Sequence, residues 1–286
     1  EKANERMDLD KNDLLGKIVH NRRVGYTLLL LNHYMDHFNI DYLFFNGDIN
    51  PKFSTRSTGQ MFLIESVFLL AGVYFLLKNE RKLGLFLLSW LVIGLIPAAM
   101  ARETPHALRS EVSLPMWQIL SGAGFYYLYK EINLKWRKIL LISISILLVW
   151  DVSVYLHNYY VHLPRDYSQD WQYGYKIAAN DILKYQNKYD KIWVSDKYGR
   201  PYIFFLTYQK YNPLLFQKNQ TTNIDEFGFY HVTGYDNFSF GKINMNLLKG
   251  KKTLLIGDQG EFPPGASKIK DIFFLNGEKA LTIGEI

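Results

Sequence analysis

Arg102, His106 and Arg109 are the residues of this chain whose types and spacing bear most directly on chemistry. They lie in the polar link Ala101-Arg102-Glu103-Thr104-Pro105-His106-Ala107-Leu108-Arg109-Ser110. Thr104-Pro105 reads as an N-cap followed by a first helical position, so a short helix is expected to open there. His106 and Arg109, three apart, would then share one of its faces. Helix N-termini present free N–H groups and a positive dipole end, and arginine adds a two-pronged grip on phosphate oxygens. Such a place would hold a lipid phosphate. Ordinary headgroup contact by a basic loop is the competing reading.

Other groups carry weaker signals. His33-Tyr34-Met35-Asp36-His37 sets two imidazoles four apart beside a carboxylate, a spacing able to chelate a metal, but no third ligand is evident. Interfacial polar residues are the preferred reading, and no metal site is assigned. Ser195-Asp196-Lys197-Tyr198-Gly199-Arg200 and Gly257-Asp258-Gln259-Gly260 each follow an apolar run that reads as a buried strand, where α/β folds place ligand loops. Neither has the glycine spacing of a nucleotide loop, so both read as plain turns. Glu65 and Asp151 sit near the ends of apolar runs and read as packing or interfacial groups. The chain has no cysteine, which excludes disulfides, thiolate chemistry and a cysteine-based zinc site.

The elements that must position the link are four apolar runs, at residues 61–77, 83–100, 114–129 and 139–156. Each holds about 16–18 residues, or about 24–27 Å as helix, enough for a thin hydrocarbon core. Four such runs separated by charged links point to a multi-pass α-helical membrane protein, with about four transmembrane helices in residues 60–160. Lys78, Arg81 and Lys82 in the first link and Lys130, Lys135, Arg137 and Lys138 in the last make both strongly basic. The positive-inside rule places those links in the cytoplasm. The Arg102–Arg109 link, residues 1–59 and residues 161–286 then lie outside. The net charge of +6 is thus concentrated at the ends of spans, and no nucleic-acid partner is expected.

Residues 1–59 read as a juxtamembrane region, with a helical tendency around residues 14–19. An interfacial helix is expected over 26–45, and a bend at Asn46-Gly47-Asp48-Ile49-Asn50-Pro51. Pro97 should kink or stop the second apolar helix. Residues 161–286 change to a soluble pattern: an amphipathic helix over 171–187, buried strands at 191–196 and 252–257, and a short helix at 202–210. Alternating strands are expected at 228–233 and 238–244, and a hairpin turning at Asn276-Gly277. This is an extracytoplasmic α/β or α+β domain.

Taken in order, Phe44-Phe45-Asn46-Gly47-Asp48, Ile96-Pro97-Ala98, the Arg102–Arg109 link and Leu114-Pro115 resemble the C-terminal half of bacterial multi-pass glycosyltransferases. These are the protein mannosyltransferase and lipid-A aminoarabinose transferase families of the GT-C fold. Tyr189-Asp190-Lys191-Ile192 and Tyr198-Gly199-Arg200-Pro201-Tyr202 are similar to the outer tail of the same group, so the resemblance covers most of the chain. Its motifs mark the subgroup more than the chemistry. The resemblance implies transfer of a sugar from a polyprenyl-phosphate donor to an acceptor hydroxyl at the outer face of the plasma membrane. It assigns Arg102, His106 and Arg109 to the donor phosphate. The family's catalytic base lies in a first outer loop, N-terminal to Glu1, so the catalytic residue is unknown here; Asp36, Asp41 and Asp48 are not assigned to it. Any cofactor, such as a divalent metal in a full-length protein, is likewise unassigned. The alternative is a non-catalytic membrane protein whose outer domain binds a partner or cell-wall glycan.

Overall fold

The structure, a computed structural model, describes residue 18 and residues 21–185, 188–226, 228–244, 250 and 252–286. The helical tendency expected around residues 14–19 falls almost entirely outside them. The chain divides into two compact units, Glu1–Tyr160 and Val161–Ile286.

The first unit is helical. Helix α1 (Arg22–Asp36) is capped by the Asn21 side chain, which accepts from the Val24 N–H, and a π-helical turn follows at Asp41–Phe45. After a loop come α2 (Leu63–Asn79) and α3 (Arg81–Gly94), then the one-turn α4 (Ile96–Ala99). The break between α3 and α4 falls at Leu95, just ahead of Pro97, which has no N–H to offer the Ile93 carbonyl one turn back and whose ring crowds that carbonyl. The one-turn α5 (Ala107–Ser110) leads through a 3₁₀ turn into α6 (Leu114–Glu131), and α7 runs over Leu134–His157. Helix α7 starts earlier than the apolar pattern suggested, because Lys135, Arg137 and Lys138 are good helix formers and simply extend it.

The ring pairs Phe68/Phe125 and Phe75/Tyr127 advance together along α2 and α6, so these helices run in the same direction. They touch backbone to backbone. A Cβ on Gly72 would lie 1.8 Å from the Leu120 carbonyl oxygen, and one on Gly124 would lie 1.7 Å from that of Phe68. Small residues at a crossing are how helices gain contact when surrounding lipid is as apolar as the side chains. Two stretches, Arg81–Ala99 and Leu134–Asp166, are long and apolar enough to cross a membrane. Of the α7 side chains only Ile144 is buried, while Ile139, Ile142, Ile146, Val149 and Trp150 are exposed. At the far ends of α2 and α6, Lys78 lies over Tyr74 and Lys130 over Tyr126. Arg137 caps this end of α6, donating to the carbonyls of Ile132 and Lys130.

The second unit holds α8 (Leu163–Asp166), α9 (Tyr173–Ile182), α10 (Tyr202–Tyr208) and α11 (Pro213–Asn219). Its mixed sheet comprises β1 (Lys191–Val194), β2 (Thr221–Ile224), β3 (Tyr230–Tyr235), β4 (Phe238–Phe240), β5 (Thr253–Gly257), β6 (Ser267–Phe273) and β7 (Lys279–Glu285). The strand order is β2-β3-β4-β1-β5-β7-β6. Strands β4, β1 and β5 are parallel at the centre, and the flanking pairs are antiparallel. A strand covered on both faces should read as a continuous apolar run, as β1 and β5 do. Ile192 and Val194 pack with Ala178, Ile182 and Phe205 on one face; Trp193 and Leu255 pack with Ile243 on the other. The hairpin between β6 and β7 turns through Asn276 and Gly277, the latter at φ 91°, where glycine carries no Cβ penalty. Helix α9 is shorter than expected, and α11 and β2 were not anticipated.

Candidate functional site

The loop after α1 and the link before α6 are joined by side chains far apart in sequence. The Thr104 hydroxyl donates to Asp36 Oδ2 at 2.7 Å, and the His106 N–H donates to His37 Nε2 at 3.2 Å. The Ala107 N–H donates to Asp48 Oδ2 at 2.6 Å, and Tyr42 shares a 3.0 Å hydrogen bond with Ser110. His37 and Asp48 are fully buried here, as is Tyr42. Asp48 Oδ1 also accepts from the Asn50 N–H at 2.8 Å, and Arg56 Nη1 donates to the Asp48 carbonyl at 3.1 Å. Gly47 makes this fold of the loop possible. Its φ is 70°, and a Cβ there would sit 2.5 Å from Ser54 Oγ.

Against these bonds lies a cavity of about 270 Å³. Its apolar wall includes Phe53, Met61, Leu95 and Trp117; its polar groups include His37, Tyr42, Ser110 and Glu111. Met61 precedes α2, Leu95 follows α3, and Trp117 is in the first turn of α6, so the cavity sits at the ends of these helices away from the two basic turns.

Of the expected phosphate-binding residues, Arg102 and Arg109 are exposed and His106 is half-buried. The cavity wall includes none of the three, although Arg109 stands between two residues that do line it, Leu108 and Ser110. The short helix does not start at Thr104-Pro105. That peptide is cis, His106 is the N-cap in extended geometry (φ −132°, ψ 106°), and the helix begins at Ala107. The capping groups come from elsewhere: the Thr104 hydroxyl is used on Asp36, and the Asp48 carboxylate takes the first helical N–H. His106 therefore precedes the helix and packs its ring on Phe53, at 4.9 Å between centroids, rather than sharing a helix face with Arg109. The anion position at this helix start is filled by the protein's own carboxylate. A phosphate here would be gripped by side-chain guanidinium.

Protein-family models, curated proteins and solved structures were compared with the chain, and none matches.

His33 and His37 do not face a common point. His33 Nδ1 lies 3.3 Å from the Ala99 carbonyl, and His37 Nδ1 lies 2.9 Å from that of His33. Among the described residues no group of three His, Asp or Glu side chains is placed to hold a metal ion. The central roles of His37, Asp48 and Tyr42 were missed in sequence. Gly47-Asp48 in a turn-forming run was the one signal that a fixed carboxylate belonged there.

The hydrogen bonds of His37 define its tautomer. Nε2 accepts from His106, so Nδ1 carries the proton and donates to His33. Burial lowers its pKa; the His33 carbonyl and Asp36 oppose that shift, and His106 adds to it. The Tyr42 hydroxyl is pushed up to about 12 by burial, against the Ser110 hydrogen bond and with the Asp48 charge adding, so it stays neutral. A lowered histidine pKa means the unfolded chain takes a proton that the folded chain resists. His37 thus contributes its stability above the unfolded value of about 6.5, and loses it as pH falls through the folded pKa. The drop in melting temperature from neutral pH to mildly acidic pH should be larger for the native chain than for His37→Asn. Equal drops would show that His37 does not resist protonation.

Proposed function

We propose that this chain is the membrane part and outer domain of a GT-C-like glycosyltransferase, and that it holds a polyprenyl-phosphate sugar donor at the outer face of the plasma membrane. The observation that carries this reading is the cavity at the ends of α2, α3 and α6, with exposed Arg109 between two of its lining residues. An apolar chain entering from lipid and a phosphate held at the water boundary need such a combination of apolar wall and arginine. In this reading α2 and α6 cross the bilayer along with the two longer helices, giving four spans. At 17 and 18 residues they reach about 26–27 Å. The common direction of α2 and α6, with α3 returning between them, supports this reading. Arg109 and Arg102 neutralise the donor phosphate, while half-buried Asp36 and buried His37 and Asp48 hold the link in place.

The test is lipid binding by the chain in nanodiscs, read by native mass spectrometry. A polyprenyl monophosphate sugar should bind and resist competition by phosphatidylglycerol, which offers a phosphate without the long polyprenyl chain. Equal binding of the two lipids would overturn the donor reading. Orientation is tested separately in this cysteine-free chain. Cysteine placed singly at Asn79 or Gln217, both exposed, should react with an impermeant maleimide in intact cells only at position 217. Reaction at 79 and not at 217 reverses the topology.

A further inference from the structure

The second unit contains a cavity of about 290 Å³, near the lower end of the range for small-ligand pockets. It lies beyond the carboxyl ends of parallel β1 and β4, whose last residues, Val194 and Phe240, are paired in register. Open α/β sheets place ligands at this edge, because the chain leaves the strands there and the loops part. One wall is the turn after β1, closed by the Gly199 N–H donating to the Asp196 carbonyl at 2.9 Å. The opposite wall is the β2–β3 hairpin, where Asn223 pairs with His231 across the strands.

The side chains on these walls select the chemistry. Asp196 and Arg200 are exposed, one a pure acceptor and the other a pure donor. His231 Nε2 lies 2.8 Å from Asp225 Oδ2, and Asn223 adds an amide on the same wall. The ring of Tyr202 is stacked on Phe216, with centroids 6.2 Å apart and planes at 9°, and meets Phe240 edge-on, which fixes it as a rigid aromatic surface in the wall. Two carboxylates against one guanidinium make the cavity a poor site for phosphate or another polyanion. Among the described residues no set of three ligands is placed for a metal ion. A ring bearing adjacent hydroxyls suits the set: hydroxyls donate to carboxylates and accept from guanidinium and amide, while the C–H face of the ring lies against an aromatic side chain.

We infer that this cavity binds a neutral saccharide unit, with Asp196 and Arg200 as the hydroxyl-binding pair and Tyr202 as the aromatic surface. The site stands on the geometry of the second unit alone and is independent of donor binding by the first.

The test uses the whole chain in nanodiscs free of sugar-based detergent. Saturation-transfer NMR is recorded with glucose, galactose, mannose and N-acetylglucosamine at millimolar concentration, and inorganic phosphate is added as a competitor. At least one sugar should receive saturation, and phosphate should not displace it. Asp196→Asn and Arg200→Gln should each weaken that sugar about tenfold or more, the loss expected for one hydrogen bond to a charged group. Both side chains are exposed, so folding should be retained; Lys218→Gln, on α11 and outside the cavity, should bind as the native chain does. Absence of transfer to all four sugars, displacement by phosphate, or unchanged affinity in both Asp196→Asn and Arg200→Gln would overturn the inference. Arg109→Ala should leave the sugar signal intact, so failure of the donor reading and failure of this one are distinguishable.

Discussion

Asp48→Ala is expected to lower the stability of the helical unit by about 2–4 kcal/mol. The loss of a helix cap costs about 0.5–2 kcal/mol, and a second N–H left without its acceptor costs about 1–3 kcal/mol. Asp48 does both jobs, accepting from Ala107 and Asn50 while its side chain is out of solvent. For a chain of this size that corresponds to a fall in melting temperature of roughly 5–15 °C. Asp48→Asn should cost less. Its one carbonyl oxygen can keep one of the two bonds, while its amide group turns a donor toward the other N–H. Amide exchange at Ala107 should accelerate in both variants, and most in Asp48→Ala. An alanine variant that melts with the native chain and keeps Ala107 protected would show that the carboxylate does not hold the link. Donor binding should fall with it, because the link that presents Arg109 would lose its tie to the loop after α1.

Much of the fold was legible because its signals are local. Apolar runs bounded by basic turns mark α2, α3, α6 and α7, and Pro97 marks the break after α3 by its own sterics. Asn276-Gly277 marks a hairpin because few other residues tolerate the φ that Gly277 adopts. Strands β1 and β5 stand out because they are buried on both faces. Strand β2 gave no such signal: Thr221, Thr222, Asn223 and Ile224 are all exposed at a sheet edge, so no alternation distinguishes it from a loop. The Asn212-Pro213 pair that opens α11, with the Asn212 side chain accepting from Leu214, was a readable cap that went unused. The site itself was legible only as a segment. Its helix start depends on a carboxylate 59 residues away in sequence, and no local rule can supply that partner. Thr104 was a plausible cap until tertiary structure gave its hydroxyl to Asp36, 68 residues away.

If the chain holds the proposed polyprenyl-phosphate donor, Arg109→Ala is expected to weaken its binding by about 10- to 150-fold, the equivalent of about 1.5–3 kcal/mol for a hydrogen bond to a charged group. The side chain is exposed, so its removal should leave the melting temperature within about 1 °C of the native value, as surface substitutions usually do. Arg109→Lys should recover only part of the affinity, because an ammonium keeps the charge but loses the planar fork that matches two phosphate oxygens. The control must be another basic residue near the cavity. Arg56 is unsuitable, since its guanidinium holds the Asp48 carbonyl and its replacement would disturb the link. Lys52 is exposed in the same loop and outside the cavity wall, so Lys52→Ala reports what a nearby charge contributes through headgroup attraction alone. That contribution should be small and should fade as salt rises toward a Debye length of about 8 Å. The Arg109 effect should persist in salt, because a two-pronged contact is directional. If Arg109→Ala and Lys52→Ala lose affinity equally and both losses vanish in salt, Arg109 is only a headgroup contact and the phosphate grip is disproved.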